Sequence, residues 1–184
     1  MKIGNEKILG GLGGVGLFLS AIPTIGFILA IGGYVLFLIA IYDISKVYND
    51  NKIFNWSLRG SILSIIVILL GIIFGISLET ALVQIIDVIQ MMDFSSLELK
   101  IILALVSIIL LLIYANFLIY KALKKISEYT QISMFELGGR IILLGSILTP
   151  IFVGVFIFAI GWLLVGISFF KLPEEYPMLT SSSE

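Results

Sequence analysis

The sequence predicts an all-α membrane protein, a polytopic bundle of about six helices. Three observations carry that reading. Apolar residues make up 60% of the 184 and charged residues only 12%, with a mean hydropathy of +1.19. Ordinary soluble domains are about a quarter charged, and a chain of this size cannot hide so much apolar surface from water. Apolar stretches that span or nearly span a bilayer recur along the chain, a crossing needing ~20 residues over a ~30 Å hydrocarbon core. The basic residues also fall in segments that six crossings place on one face.

The first stretch, residues 8–22, stops at Pro23, and the second covers 25–42. Together they are too long for one crossing. Ala21-Ile22-Pro23-Thr24-Ile25-Gly26 puts a proline and a glycine where a turn belongs, so a tight helical hairpin is expected. Two clear spans follow at 58–78 and 101–120. A shorter stretch, 135–149, precedes Pro150, and a last span covers 151–170. A kinked single helix would also cover 141–170, but the first hairpin favours a second one here. The short helices reach only about 22 Å at a rise of about 1.5 Å per residue. Crossing with snorkelling ends, local bilayer thinning and re-entrant arms are all open to them. The two hairpins share a weak repeat. Pro23 leads to Ala30-Ile31-Gly32, and Pro150 leads, with a two-residue offset, to Ala159-Ile160-Gly161.

Orientation follows from lysine and arginine. Lys2, Lys7, Lys46, Lys52, Arg59, Lys121, Lys124, Lys125, Arg140 and Lys171 share one side if the acidic segment 79–100 is outside, leaving only Lys100 of the 11 basic residues across the membrane. The expected protein is a multi-pass plasma-membrane protein with both termini cytoplasmic. Its N-terminal helix is expected to be retained, since no small-x-small cleavage site follows it. Within 79–94, Thr80, Gln84, Asp87 and Gln90 or Met91 recur at helical spacing, which reads as an external amphipathic helix at the interface. Residues 1–172 form a single transmembrane domain, and 173–184 a polar, mobile tail.

The chain has no cysteine and no histidine. Disulfides, thiolate metal sites, histidine-ligated haem and serine–histidine triads are therefore closed to it. Its net charge of −1 gives no reason to expect a nucleic-acid partner. No metal or cofactor is expected.

Few residues suggest a site. Gly11-Leu12-Gly13-Gly14-Val15-Gly16 fits a dinucleotide pattern only on paper, because no strand precedes it; close helix packing is the expected role. Gly71 and Gly75, and Gly154, Gly161 and Gly166, read the same way. No carboxylate lies near mid-membrane in the four clear spans, which counts against a proton relay. Glu136 and Arg140 are four apart near the start of the fifth helix and are expected to pair at the interface, a gate or headgroup contact being the sharper alternative. Asn116 is the most interior strong polar group, suited to an interhelical hydrogen bond or to a solute contact. Ser61 and Ser64 are expected to bond their own backbone. The polar atoms of Tyr34 and Trp162 need partners. Lys121 to Lys125 reads as the cytoplasmic anchor of the fourth span.

Ala40-Ile41-Tyr42-Asp43-Ile44-Ser45, then Tyr48-Asn49-Asp50 and Ile53-Phe54, resemble a recurring segment of a prokaryotic membrane family. Tyr129-Thr130-Gln131, Phe135, Gly139, Leu144-Gly145, Gly154, Trp162 and Phe169-Phe170 are similar to its second half, in order. That family is domain of unknown function 996, common in archaea. The resemblance implies a membrane fold and an archaeal source, and brings no activity, ligand or site residue. The expected role is a non-enzymatic accessory or scaffold subunit, or a self-assembling unit, in a homo-oligomer or larger membrane complex. The alternative is a small solute transporter or channel.

Overall fold

The structure is a computed structural model that describes residues 5–22, 25–73, 99–151 and 153–173. The expected amphipathic segment 79–94 and the tail beyond Pro173 lie outside the described residues. Six helices are described: α1 (Asn5–Leu19), α2 (Gly26–Val47), α3 (Asn51–Ile73), α4 (Leu99–Thr130), α5 (Ser133–Leu148) and α6 (Val153–Phe170). Among the described residues, four stretches are long and apolar enough to cross a membrane: Gly26–Val47, Asn51–Gly71, Leu105–Thr130 and Val153–Phe170. The helices outrun the apolar stretches at the lysine-rich end. α4 continues ten residues past Tyr120 because Ala122, Leu123 and Ile126 keep an apolar face turned inward while Lys124 and Glu128 look outward.

Each helix packs on the next, and α6 packs back on α1, so the six close into a ring. The α2–α3 junction is the loosest of the six contacts. Within the ring the three successive pairs cross in the same way. A Cβ on Gly13 would meet the Gly33 carbonyl oxygen and the Phe37 nitrogen of α2. One on Gly60 would meet the Ala115 carbonyl and Ile119 nitrogen of α4, and one on Gly138 the Gly161 carbonyl and Val165 nitrogen of α6. Each time a glycine on the first helix sits over residues i and i+4 of the second, close enough that any side chain would strike backbone.

The equivalence runs along the helices without a gap. Gly33, Ala115 and Gly161 correspond, as do Ala40, Ala122 and Ser168, then Ile41, Leu123 and Phe169, then Ile44, Ile126 and Leu172; every one of them is buried. The turns leaving α2 and α4 agree as well. Asn49 and Gln131 occupy the same place, and both have positive φ, 50° and 58°. In the weak repeat read from sequence, the structure shifts the match by one residue. Gly33, not Gly32, is the partner of Gly161, and Gly32 faces outward with nothing within 4 Å of its Cβ position. Low-complexity Ala-Ile-Gly text hid the correct register; the packing face decides it.

Below the middle of the bundle the interior is closed. Trp162 meets Tyr34 and Phe37 edge-on at 5.6 and 5.2 Å, and Phe169 meets Phe37 and Phe135 at 6.1 and 5.1 Å. The dinucleotide-like glycines serve packing on two sides at once: Gly13 lies on α2 and Gly14 on Gly166 of α6.

Candidate functional site

The end of the ring that carries the α1–α2 and α5–α6 turns holds a cavity of about 330 Å³. Small-molecule sites start at about this size. Five helices, α1 to α4 and α6, and the α5–α6 turn contribute. Leu17, Ala30, Val67, Leu112 and Phe158 make the apolar wall, and Ala21 and Thr149 stand toward the turns. Ala30, Leu112 and Phe158 are equivalent positions of α2, α4 and α6, so each of the three pairs gives the cavity a wall residue from its second helix. Among the described residues, no charged side chain lines it.

Its polar groups are hydroxyls. Ser20 donates to the Leu17 carbonyl at 2.6 Å, and Thr149 to the Gly145 carbonyl at 3.0 Å. Ser64, at the floor, is different. The Tyr34 phenol faces it, yet the buried Ser64 Oγ has no hydrogen bond of acceptable geometry. One turn below Leu112, Asn116 gives its Nδ2 to the Leu112 carbonyl at 2.9 Å, while its Oδ1, at 0% exposure, is unpartnered. One turn below Phe158, Trp162 leaves its Nε1 unpartnered. Tyr34, Asn116 and Trp162 occupy one equivalent position in the three pairs, forming a polar layer directly under the cavity.

The expected backbone bonds of Ser61 and Ser64 are absent. Both hydroxyls, and that of Ser57, are buried without a partner. Sequence reading missed Ser57 altogether, although the spacing Ser57, Ser61, Ser64 marks one face of α3.

Glu136 and Arg140 pair at 2.6 Å on the outside of α5, away from the cavity, with Arg140 well exposed. The structure therefore does not bring them together with Asn116. A second polar cluster sits at the lysine-rich end. Asp50 accepts the Lys52 backbone N–H at 3.0 Å and the Tyr129 hydroxyl at 3.1 Å. The Tyr48 and Tyr129 rings stack at 4.7 Å, and burial pushes the Tyr48 phenol up from its ordinary pKa. The motifs Tyr48-Asn49-Asp50 and Tyr129-Thr130-Gln131 thus meet in space and tie the turn after α2 to the end of α4.

Residues 29–163 match the protein family described as Protein of unknown function (DUF996). The chain belongs to this family. It is also similar to an uncharacterised protein of the archaeon Methanocaldococcus jannaschii, 30% identical over 176 residues, covering 95% of this chain and 96% of that one. No solved structure matches. The matched region of this DUF996 protein runs from α2 into α6 and includes the three residues of the polar layer.

Proposed function

We propose that this polytopic membrane protein is a non-catalytic carrier of small uncharged solutes. The observation behind this reading is the cavity, built by five helices and the α5–α6 turn, lined among the described residues by no charged side chain, with the Tyr34 and Ser64 hydroxyls on its wall and the buried Asn116 and Trp162 one turn below wall residues. A site without carboxylates gives no handle for proton coupling, so the solute moves down its own gradient. In this reading both short helices, α1 and α5, cross a locally thinned bilayer, the termini face the cytoplasm of the plasma membrane, and the cavity opens outward.

The test uses purified protein reconstituted in liposomes, with swelling followed by light scattering under glycerol and urea gradients. At least one solute is expected to enter several-fold faster than in protein-free vesicles. Ala30→Trp, which fills the cavity, should abolish the difference while the protein keeps its thermal transition. Identical rates with and without protein for both solutes would contradict the proposal.

The accessory or self-assembling subunit is the second reading. It loses one support, since most helix glycines are used for contacts within the chain. Gly32 is the observation on its side, an outward notch suited to a neighbouring helix. Co-purification of a stable oligomer or partner in mild detergent, dispersed by Gly32→Leu, would favour it.

A further inference from the structure

The three helix pairs agree in packing but not in chemistry. Ser57, Ser61 and Ser64 of α3 stand where α1 has Gly10, Gly14 and Leu17, and where α5 has Phe135, Gly139 and Ile142. Two of the pairs therefore close this face with glycine or apolar side chains alone. Packing does not require a hydroxyl at any of the three positions, yet α3 carries one at each.

The hydroxyls are also unlike the other buried serines. Ser45, Ser146 and Ser168 donate to a carbonyl of their own helix at 2.7 Å, and Ser127 to the Ile132 carbonyl at 3.0 Å. Ser57 and Ser61 donate to nothing, and Ser64 has only the Tyr34 phenol before it, without a hydrogen bond of acceptable geometry. Among the described residues, five buried side-chain polar atoms lack a partner, and four of them belong to the middle pair: Ser57, Ser61, Ser64 and Asn116. A buried polar group left unsatisfied carries its full desolvation penalty, and such groups in native folds call for an explanation.

Their placement supplies one. Ser64 lines the cavity floor. Ser61 and Ser57 continue from it one turn at a time toward the lysine-rich end; their α1 equivalents, Gly14 and Gly10, lie on α6, the neighbour that precedes α1 in the ring, while Leu17, the equivalent of Ser64, lies on Gly33 of α2. The neighbour that precedes α3 is α2, and the α2–α3 contact is the least extensive of the six. Resting on the carrier reading, we infer that Ser64, Ser61 and Ser57, with Asn116, line the closed half of the solute's route. The route opens when α2 and α3 part. Its solute is a small neutral molecule that both donates and accepts hydrogen bonds, the class of water, glycerol and urea. Serine hydroxyls offer one donor and two acceptor positions each, and the Asn116 Oδ1 adds an acceptor.

The chain has no cysteine, so single-cysteine variants report without background. Ser64→Cys, Ser61→Cys and Ser57→Cys, with Ile142→Cys and Phe135→Cys as the equivalent positions of α5, are reconstituted as full-length protein in liposomes. Each is treated with methyl methanethiosulfonate, a small neutral reagent, and modification is read from the intact mass. The three α3 variants are expected to react at least tenfold faster than the two α5 variants, and glycerol should slow them. Reaction at Ser64→Cys alone would leave the cavity standing and overturn the route along α3. No reaction at any α3 position would overturn both the route and the carrier reading. Equal rates on α3 and α5 would also overturn the route, because the access would then be general breathing of the bundle.

Discussion

A Cβ on Gly60 would lie 2.7 Å from the Ala115 carbonyl oxygen, a backbone atom that cannot swing aside. Gly138 has the same neighbourhood, with the Gly161 carbonyl at 3.1 Å. Overpacking in close-packed interiors typically costs ~1–3 kcal/mol, and here it would push two helices apart along their length. Gly60→Leu is therefore expected to destabilise by at least ~2 kcal/mol, at the upper part of that range, in reversible unfolding from mixed micelles. Gly32→Leu, on the outer face, should leave the monomer's stability within ~0.5 kcal/mol. Equal effects of the two variants would mean that the crossing contacts are not where the ring is held. The same scale separates Asn116 from Glu136 and Arg140. The former is wholly buried with an unpartnered oxygen. The latter two neutralise each other at the surface, where solvent screens an ion pair and leaves it little weight in stability.

At the scale of elements, the turns between pairs are as informative as the helices. Asn49 and Gln131 hold positive φ at equivalent places, after α2 and after α4. A left-handed conformation costs an L-residue roughly 1–2 kcal/mol, less for asparagine, and costs glycine nothing sterically. Gln131→Gly should then raise stability by up to ~1 kcal/mol once the added chain entropy of glycine is set against the relieved strain, and Asn49→Gly by less. Destabilisation by Gln131→Gly in thermal unfolding would show that the side chain, which donates to the Glu128 carbonyl at 2.7 Å, matters more than the backbone. Much of the element plan could be read in the sequence. Composition and proline placement locate six helices, and the small residues of α1 announce tight packing. Helix ends were less legible, because α2 turns Ile44 inward past Asp43 and α4 turns Ala122, Leu123 and Ile126 inward past Lys121. The register of the repeat was also out of reach. Gly32 and Gly33 are indistinguishable as letters, and only the face each presents assigns the contact to Gly33.

The whole molecule joins these features into one object. Three helix pairs of matching register close a ring, and the ring encloses a cavity at one end and an aromatic core below it. That cavity was not foreseeable from a single chain of letters. Its wall residues Leu17, Ala30, Leu112 and Phe158 read as ordinary apolar filling, and they become a site only because α6 returns to α1. Asn116, Tyr34 and Trp162 stood out in sequence as polar groups at depth; the ring makes them a single layer. The Ser57, Ser61 and Ser64 stripe was visible as spacing, but no pattern said that its hydroxyls would go unbonded.

The proposed orientation in the membrane carries the most weight, since it assigns the cavity end and the lysine-rich end of one bundle to opposite faces. Ala21→Cys, beside the cavity mouth, and Lys124→Cys, at the far end of α4, are both exposed positions in a chain without native cysteine. Labelled with a membrane-impermeant maleimide in sealed right-side-out vesicles, Ala21→Cys should react and Lys124→Cys should not, with the pattern reversed in inverted vesicles. Reaction of both from the same side would contradict the transmembrane ring and everything built on it.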